Sequence, residues 1–376
     1  MTSGRIKWAL FGGGPESLIG RVHRIAAGDD FQLVGGVFSS NLARSQAIAR
    51  NWQLDASRVR ASLDEFIACE MTLPRDRRIQ AATIATPNHL HYGMATRLVD
   101  AGIHVICEKP ITLSASEASS LATQLASGKV VFAVAHTYTG YPMVRQMRAM
   151  IGAGSLGTLQ RIDVQYYQGW VNPLIHDPVL RRGVWRFDPL KGGSSLCVGD
   201  VGVHAFNLVE YTTGLDVNRV LADVDTLYED NPLDVDASIL IRTNQSAKGV
   251  IRLSQIATAE ENNLQIMVYG RRGGLKWAQE NPNRLEFLEE GKPAAVYTPG
   301  HAFDAAIARD ASTLPPGHPE GFIEAMTTLY RGVARVIRGA SPDSQLYPGI
   351  EAGVRGMRFI EAVLASAKGG NIWVTI

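Results

Sequence analysis

The chain opens with short, continuous apolar runs that alternate with stretches whose apolar residues recur at helical spacing. Ile6 to Phe11 is the first such run; it ends in Gly12-Gly13-Gly14, and Ser17 to Ala27 follows with helical periodicity. The pattern predicts strand, tight turn, helix. Phe31 to Phe38 is predicted as a second strand, Leu42 to Trp52 as a helix, Ala82 to Ala85 as a third strand and His89 to Ala101 as a helix stopped by Gly102. Ile103 to Cys107 makes a fourth strand, and a helix from Ser114 to Ala126 and a strand from Val130 to Ala135 complete the alternation. Runs such as Ala-Ala-Thr-Ile-Ala, with no alternation of apolar and charged positions, suit strands covered on both faces, and right-handed crossovers then give a doubly wound parallel sheet.

From residue 136 the pattern changes. Leu159 to Tyr167, Val220 to Leu227, Ser238 to Arg242, Gly249 to Gln255 and Leu264 to Tyr269 read as consecutive strands, mostly without helices between them, so antiparallel neighbours are expected. Two helices, Gly321 to Arg338 and Gly349 to Ala367, close the chain, with Gly339, Pro342 and Pro348 turning between them. The expected architecture is an α/β Rossmann domain over residues 1–135 plus an α+β domain with a broad, largely antiparallel sheet over residues 136–376, the latter for substrate binding and oligomerisation.

Composition narrows the class. With 376 residues, 45% hydrophobic, and 37 basic against 36 acidic side chains, the chain is an ordinary globular protein rather than a disordered, collagenous or coiled-coil one. The near-zero charge argues against a nucleic-acid partner. Cys69, Cys107 and Cys197 are odd in number and widely spaced, so neither a disulfide framework nor a zinc site is expected. His89 and His91, two apart near a helix start, are poorly spaced for a joint metal site, and no metal is proposed. The N-terminus has no signal-type apolar segment and no stretch approaches membrane-spanning length, which predicts a cytoplasmic protein with no membrane partner.

Three glycines between a strand and a helix let the backbone approach a pyrophosphate, whose charge the first-turn N–H groups of the helix stabilise. Dinucleotide binding is therefore expected from Gly12, Gly14, Pro15, Ser17, Leu18 and Ile19. Five residues, Pro15 to Ile19, separate Gly14 from Gly20 where the usual fingerprint has two, which predicts an enlarged phosphate loop. The fingerprint's acidic residue after the second strand is absent; Ser39, Ser40 and Asn41 stand there, with Arg44 one turn on. They can serve the ribose hydroxyls of NAD or, through Ser39 and Arg44, a 2′-phosphate. The choice of NAD or NADP stays open, leaning to NAD because only one arginine lies close by.

At Cys107-Glu108-Lys109-Pro110 the chain resembles the glucose-fructose oxidoreductase/inositol dehydrogenase/MocA family, and the likeness extends over nearly its whole length. Thr86-Pro87-Asn88-His89 ends the third strand as in that family, Tyr138 and Pro142 recur after the last Rossmann strand, and Gly154-x-x-Gly157 precedes the next domain. The glycine-rich run from Gly192 to Gly202 leads into Asp200-x-x-x-His204. Where the family often has His-x-x-Asp, Asn207 stands here. The resemblance implies cofactor contacts from Thr86, Pro87, Asn88, His91, Glu108 and Lys109, a cis bond before Pro110, and Lys109, Asp200 and His204 around the reacting carbon.

Elementary chemistry agrees with those roles. Lys109 ends a strand on the carboxyl side of the sheet, where ligands bind. Asp200 and His204, four apart, would share one helix face, and a histidine titrates where it can take a proton from an alcohol losing hydride. His204 is the expected base; lysine could fill that role instead. Substrate contacts are expected from Lys109, Tyr138, Trp170, Trp185, Arg186, Asp200 and His204, set among His136, Tyr166 and Gln168, although each aromatic taken singly also reads as core. His318, on the stiff Pro315 to Gly321 loop, could reach its own or a neighbouring site, or merely precede a helix.

The resulting expectation is an NAD-dependent dehydrogenase that oxidises a secondary hydroxyl of a polyol, scyllo- or myo-inositol or a pyranose hexose, to a ketone or lactone. An NAD-dependent glycosidase using transient oxidation and a non-catalytic sugar/NAD sensor are the alternatives. A sheet with one face bare of helices predicts a homo-oligomer, dimer or tetramer.

Overall fold

The first five apolar runs align as one parallel sheet in the computed structural model, which describes residues 4–126, 128–175, 177–227, 231, 233–343 and 346–376. Residues 1–3, part of the N-terminal segment read above, lie outside the described residues. The strands are β1 (Ile6–Gly12), β2 (Phe31–Val37), β3 (Ala81–Ala85), β4 (His104–Cys107) and β5 (Phe132–Val134), in the order β2-β1-β3-β4-β5 and parallel throughout. All of β3 is buried, as a strand covered on both faces must be. The order reverses between β1 and β3, so their carboxyl ends mark the switch point at which sheets of this kind bind ligands.

Helices α1 (Leu18–Ala26), α2 (Leu42–Asn51), α3 (Leu63–Thr72), α4 (His91–Asp100) and α5 (Ala115–Leu125) connect these strands. The sequence pattern did not reveal α3. Its core-facing positions are Leu63, Phe66 and Glu70, and the acidic one, which breaks the apolar period, is tolerated because both its oxygens lie 2.7 Å from the Arg58 guanidinium.

The second sheet has nine strands. They are β6 (Leu159–Tyr167), β7 (Val217–Asp225), β8 (Asp236–Thr243), β9 (Lys248–Ser254), β10 (Asn263–Gly270), β11 (Gly273–Ala278), β12 (Leu285–Glu289), β13 (Ala295–Tyr297) and β14 (Val374–Thr375), ordered β13-β12-β11-β10-β6-β9-β8-β7-β14. Neighbours are antiparallel, as expected, except that β6 pairs with β9 in parallel. This exception brings the carboxyl ends of β6 and β9 to the edge where β10 begins. Strands β11 to β14 were not anticipated. Gly273-Gly274 hides the start of β11: Gly274 lies opposite Tyr269, and a Cβ there would stand 2.6 Å from that ring. Helices α6 (Pro142–Gly152), α7 (Val203–Thr213), α8 (Phe322–Ile337) and α9 (Ile350–Lys368) complete the longer elements.

The chain divides into two compact units, the first made of Met1–Thr112, Ser116–Ala135 and Met326–Val354, the second of Leu113–Ala115, His136–Ala325 and Arg355–Ile376. The chain leaves the first unit at residue 135, but the expected domains placed 326–354 with the second. Packing decides otherwise. Tyr330 meets Trp8 and Phe31 edge-on at 6.0 and 5.3 Å between centroids, and Pro348 accepts from the Val134 N–H of β5 at 2.8 Å.

Candidate active site

The phosphate loop leaves β1 at Gly12 and Gly13, both at positive φ, where side chains are strained. A Cβ on Gly12 would stand 2.5 Å from the Ala85 carbonyl oxygen, and one on Gly20 would stand 2.2 Å from that of Gly13, so β3 and α1 both press against the loop. Beyond Gly14 the chain turns through Pro15 and Glu16, with the Ser17 N–H donating to the Gly14 carbonyl at 2.9 Å. Ser17 then caps α1, its Oγ accepting from the Gly20 N–H at 3.1 Å, and Leu18 and Ile19 form the positive end of the helix.

At the end of β2, Ser39 Oγ accepts from the Asn41 N–H at 3.2 Å and Asn41 Oδ1 caps α2 through the Arg44 N–H at 3.0 Å. These two groups shape the turn, with Ser40 exposed between them. The Arg44 guanidinium is engaged by Glu16 of the phosphate loop, 3.0 Å away.

Thr86, Pro87 and Asn88 follow β3. The expectation that His91 touches the cofactor gives way: its ring is fully buried, with Nδ1 2.8 Å from the Pro110 carbonyl and Nε2 2.9 Å from that of Thr86. It braces the Thr-Pro-Asn turn against the Glu-Lys-Pro turn. Glu108 likewise turns inward, Oε1 meeting His23 Nε2 at 2.9 Å and Oε2 accepting the Lys109 backbone N–H at 3.2 Å. Burial alone would raise the Glu108 carboxyl, but the His23 hydrogen bond and the nearby Lys109 charge help to outweigh it and hold the group below its ordinary value. The Lys109–Pro110 bond is cis.

In the second unit, the register of three strands assembles a polar cluster. Tyr166 lies opposite Leu253 of β9 and Leu264 of β10, which places Gln168, Gln255 and Asn262 just beyond the paired ends. Asp200 accepts from Gln255 at 2.9 Å; Gln255 also donates to Gln168 at 3.4 Å, and Gln168 donates to Asn262 at 2.8 Å. Asn262 accepts from the Tyr166 hydroxyl at 2.7 Å, and Tyr166 shares a short bond with the Tyr138 hydroxyl. The Tyr138 ring stands edge-on to His204 at 4.9 Å, and His204 faces His136. Burial foremost, with Tyr138 and Asp200 adding to it, pushes the Tyr166 hydroxyl well up, so it stays a neutral donor.

Asp200 does not sit on a regular helix with His204, as the spacing suggested. It lies in a wide turn, Val198–Gly202, that feeds α7, and both residues still join the one cluster. The buried Asp234 carboxylate fixes this turn, accepting from the Leu196 and Val198 N–H groups at 3.0 and 2.7 Å. Trp170 donates to Gln168 at 3.1 Å, and Arg186, stacked on Trp185 at 4.5 Å, stands 4.0 Å from Asp200. His318 is not brought to the cluster. It is exposed, its Nδ1 3.2 Å from the Pro315 carbonyl, on a loop held by Glu320 through the Thr313 and Leu314 N–H groups. Cys107 and Cys197 are buried and free, and burial pushes both thiols up, which suits packing and not nucleophiles.

Sequence reasoning missed His23, Glu16, Asp234, Gln255 and Asn262. Each is a single polar residue with no spacing signature; only Gln255, directly after a strand, and Glu16, in the glycine loop, stand where position could have drawn attention. Among the described residues no group of three or more His, Cys, Asp or Glu could hold a metal ion, and no helix is long and apolar enough to cross a membrane.

A glycine loop at the switch point of a parallel sheet, followed by a Glu-Lys-Pro turn and a second, mostly antiparallel domain, defines a nicotinamide-dinucleotide oxidoreductase. The chain belongs to the Gfo/Idh/MocA family: the oxidoreductase NAD-binding Rossmann model matches residues 6–136 and the GFO/IDH/MocA C-terminal domain matches 144–276. It is 30% identical to the uncharacterized oxidoreductase YfiI of Bacillus subtilis (strain 168), over 98% of this chain and 96% of the relative. An inositol dehydrogenase homolog complexed with NAD+ from Azotobacter vinelandii is 32% identical, with a TM-score of 0.92 and 100% of both chains covered. An inositol dehydrogenase homolog complexed with NADH and myo-inositol, also from Azotobacter vinelandii, is 31% identical, with a TM-score of 0.90, covering 100% of this chain and 98% of that one. The first unit is therefore an NAD-binding Rossmann domain. Its residues fit that group, because the side-chain-free cradle at Gly12 to Gly14 admits a pyrophosphate and the Glu16–Arg44 pair suits a ribose without a 2′-phosphate.

Proposed function

We propose that this oxidoreductase oxidises a secondary hydroxyl of a polyol, an inositol or a pyranose sugar, to the ketone or lactone. The observation that carries the reading is the hydrogen-bonded line from Asp200 through Gln255, Gln168, Asn262 and Tyr166 to Tyr138, beside His204. Alternating donors and acceptors next to aromatic faces match a ring that carries hydroxyls on an apolar skeleton. NAD, when bound, supplies the hydride acceptor. His204 takes the hydroxyl proton, the Lys109 ammonium orients that oxygen and favours its developing negative charge, and Asp200 accepts from a neighbouring hydroxyl. Trp170 and the Trp185–Arg186 stack line the polyol.

The test is nicotinamide reduction with NAD and NADP in parallel against a panel of inositols and D- and L-sugars. A clear substrate supports the reading. Silence across the panel with tight NADH binding overturns it in favour of a transient-oxidation glycosidase or a sensor.

The reading includes a second copy of this chain over the outer face of the nine-stranded sheet. Leu221, Leu240 and Val250 run across that face in one row with Asp163, Met267, Lys276 and Glu286, apolar at one end and carrying both charge signs at the other. The apolar end of such a row is a surface that a second copy would cover. A monomer by sedimentation overturns it.

A further inference from the structure

Buried polar groups in the first unit form a single line. Trp8 Nε1 donates to Thr83 Oγ1 at 2.9 Å, Thr83 Oγ1 lies 2.7 Å from the Tyr330 hydroxyl, that hydroxyl lies 2.9 Å from His23 Nδ1, and His23 Nε2 lies 2.9 Å from Glu108 Oε1. Trp8, Thr83, His23 and Tyr330 are at most 1% exposed.

With His23 neutral, the two ends set the direction of every proton between them. An indole nitrogen only donates and an ionised carboxylate only accepts. Thr83, having accepted from Trp8, passes its own hydrogen to Tyr330; Tyr330 passes its hydrogen to His23 Nδ1; His23 then carries its hydrogen on Nε2 and gives it to Glu108. Among side chains buried to this degree, dipoles aligned in this way reinforce one another and favour negative charge where they end. The line ends on the residue that also receives the Lys109 backbone N–H and whose own N–H is tied to Ile84 of β3 at 3.0 Å.

We propose that this aligned chain keeps Glu108 anionic and immobile beneath Lys109, making His23 and Tyr330 positioning residues for the lysine. The proposal rests on the reading that Lys109 works on the reacting hydroxyl. His23 belongs to α1, the helix that meets the pyrophosphate, so the same chain ties the cofactor helix to the Glu-Lys-Pro turn. Tyr330 enters from a segment far along the sequence, and neither residue touches the reacting atoms in this scheme.

Two measurements test it on the full-length protein. Nitrogen-15 NMR of labelled histidine at neutral pH is expected to show His23 with hydrogen on Nε2 and a bare, hydrogen-bonded Nδ1, and Tyr330→Phe is expected to abolish that preference. In steady-state kinetics Tyr330→Phe should lower kcat about tenfold while KM for NAD stays within about twofold. His23→Gln, which retains an acceptor and a donor, should recover most of the activity lost in His23→Leu. A His23 hydrogen on Nδ1, or a Tyr330→Phe enzyme with unchanged kcat, overturns the proposal. If no polyol is oxidised by the native enzyme, the proposed reaction fails, and the tautomer measurement still decides whether the chain is aligned.

Discussion

His136 and His204 bring their Nδ1 atoms to 3.5 Å with the rings crossed at 80°. One hydrogen serves that contact. For His204 to act as a base its hydrogen must sit on Nδ1, given to His136, so that Nε2 is bare for the substrate proton. His204→Ala is accordingly expected to reduce turnover about 100-fold while NADH binding, read by fluorescence, is nearly unchanged. Unaltered turnover would remove His204 from the proton transfer.

Lys109→Ala should lower turnover about tenfold or more, with less effect than His204→Ala if the ammonium only orients the hydroxyl. Single-turnover rates make the comparison. A larger loss in the lysine variant would exchange the two roles.

Cofactor choice turns on the Glu16–Arg44 pair. Glu16 neutralises the arginine that would otherwise greet a 2′-phosphate, and its carboxylate repels that group. Glu16→Gln is expected to raise kcat/KM for NADP about tenfold and to leave that for NAD within about twofold, with a smaller gain at high salt because both side chains are exposed. No gain with NADP would show that the pair plays no part in selection.

Glu108 makes acid stability specific. Its folded carboxyl lies below the ordinary 4.5, so between the two values the unfolded chain binds more protons and stability rises with pH. The contribution is complete above the unfolded value and is lost as pH falls through the folded one. Denaturant midpoints of Glu108→Gln should therefore depend less on pH below 4.5 than those of the native chain. Parallel acid limbs for the two proteins would contradict this.

Asp234 is the anchor of the turn that carries Asp200. Asp234→Ala strands two buried N–H groups and is expected to destabilise the protein by about 2–3 kcal/mol, read from thermal or urea unfolding. A variant as stable as the native chain would mean that the turn holds itself.

The sequence disclosed the elements whose core faces are mainly apolar. Strands β1 to β6 and helices α1, α2, α8 and α9 lie within about two residues of their expected bounds, because the few buried polar residues among them, such as His23, Ser45 and Thr83, leave the apolar period readable. Helices α3 and α6 were invisible for the opposite reason: Glu70 in one, and Arg145 and Gln146 in the other, occupy buried positions that only tertiary partners make tolerable. The return of 326–354 to the first sheet was equally hidden, since the apolar stripe of α8 does not say which sheet it covers. Lys109 was singled out as a candidate from the Glu-Lys-Pro turn, and Asp200 and His204 from their four-residue spacing beside glycine. Their supports, Glu16, His23, Asp234, Gln255 and Tyr330, come from distant segments and depend on strand register and helix packing.

Because the first unit is completed by Met326–Val354, the cofactor domain is not a module that the ribosome delivers first and leaves to fold alone. A nascent chain that has emerged only as far as β5 has an open sheet edge where Pro348 will later bond, and a Thr83 hydroxyl and His23 imidazole still waiting for Tyr330. The greater part of the second unit is in effect translated inside the first. Completion of the nucleotide site is thereby deferred until nearly the whole polypeptide has been made.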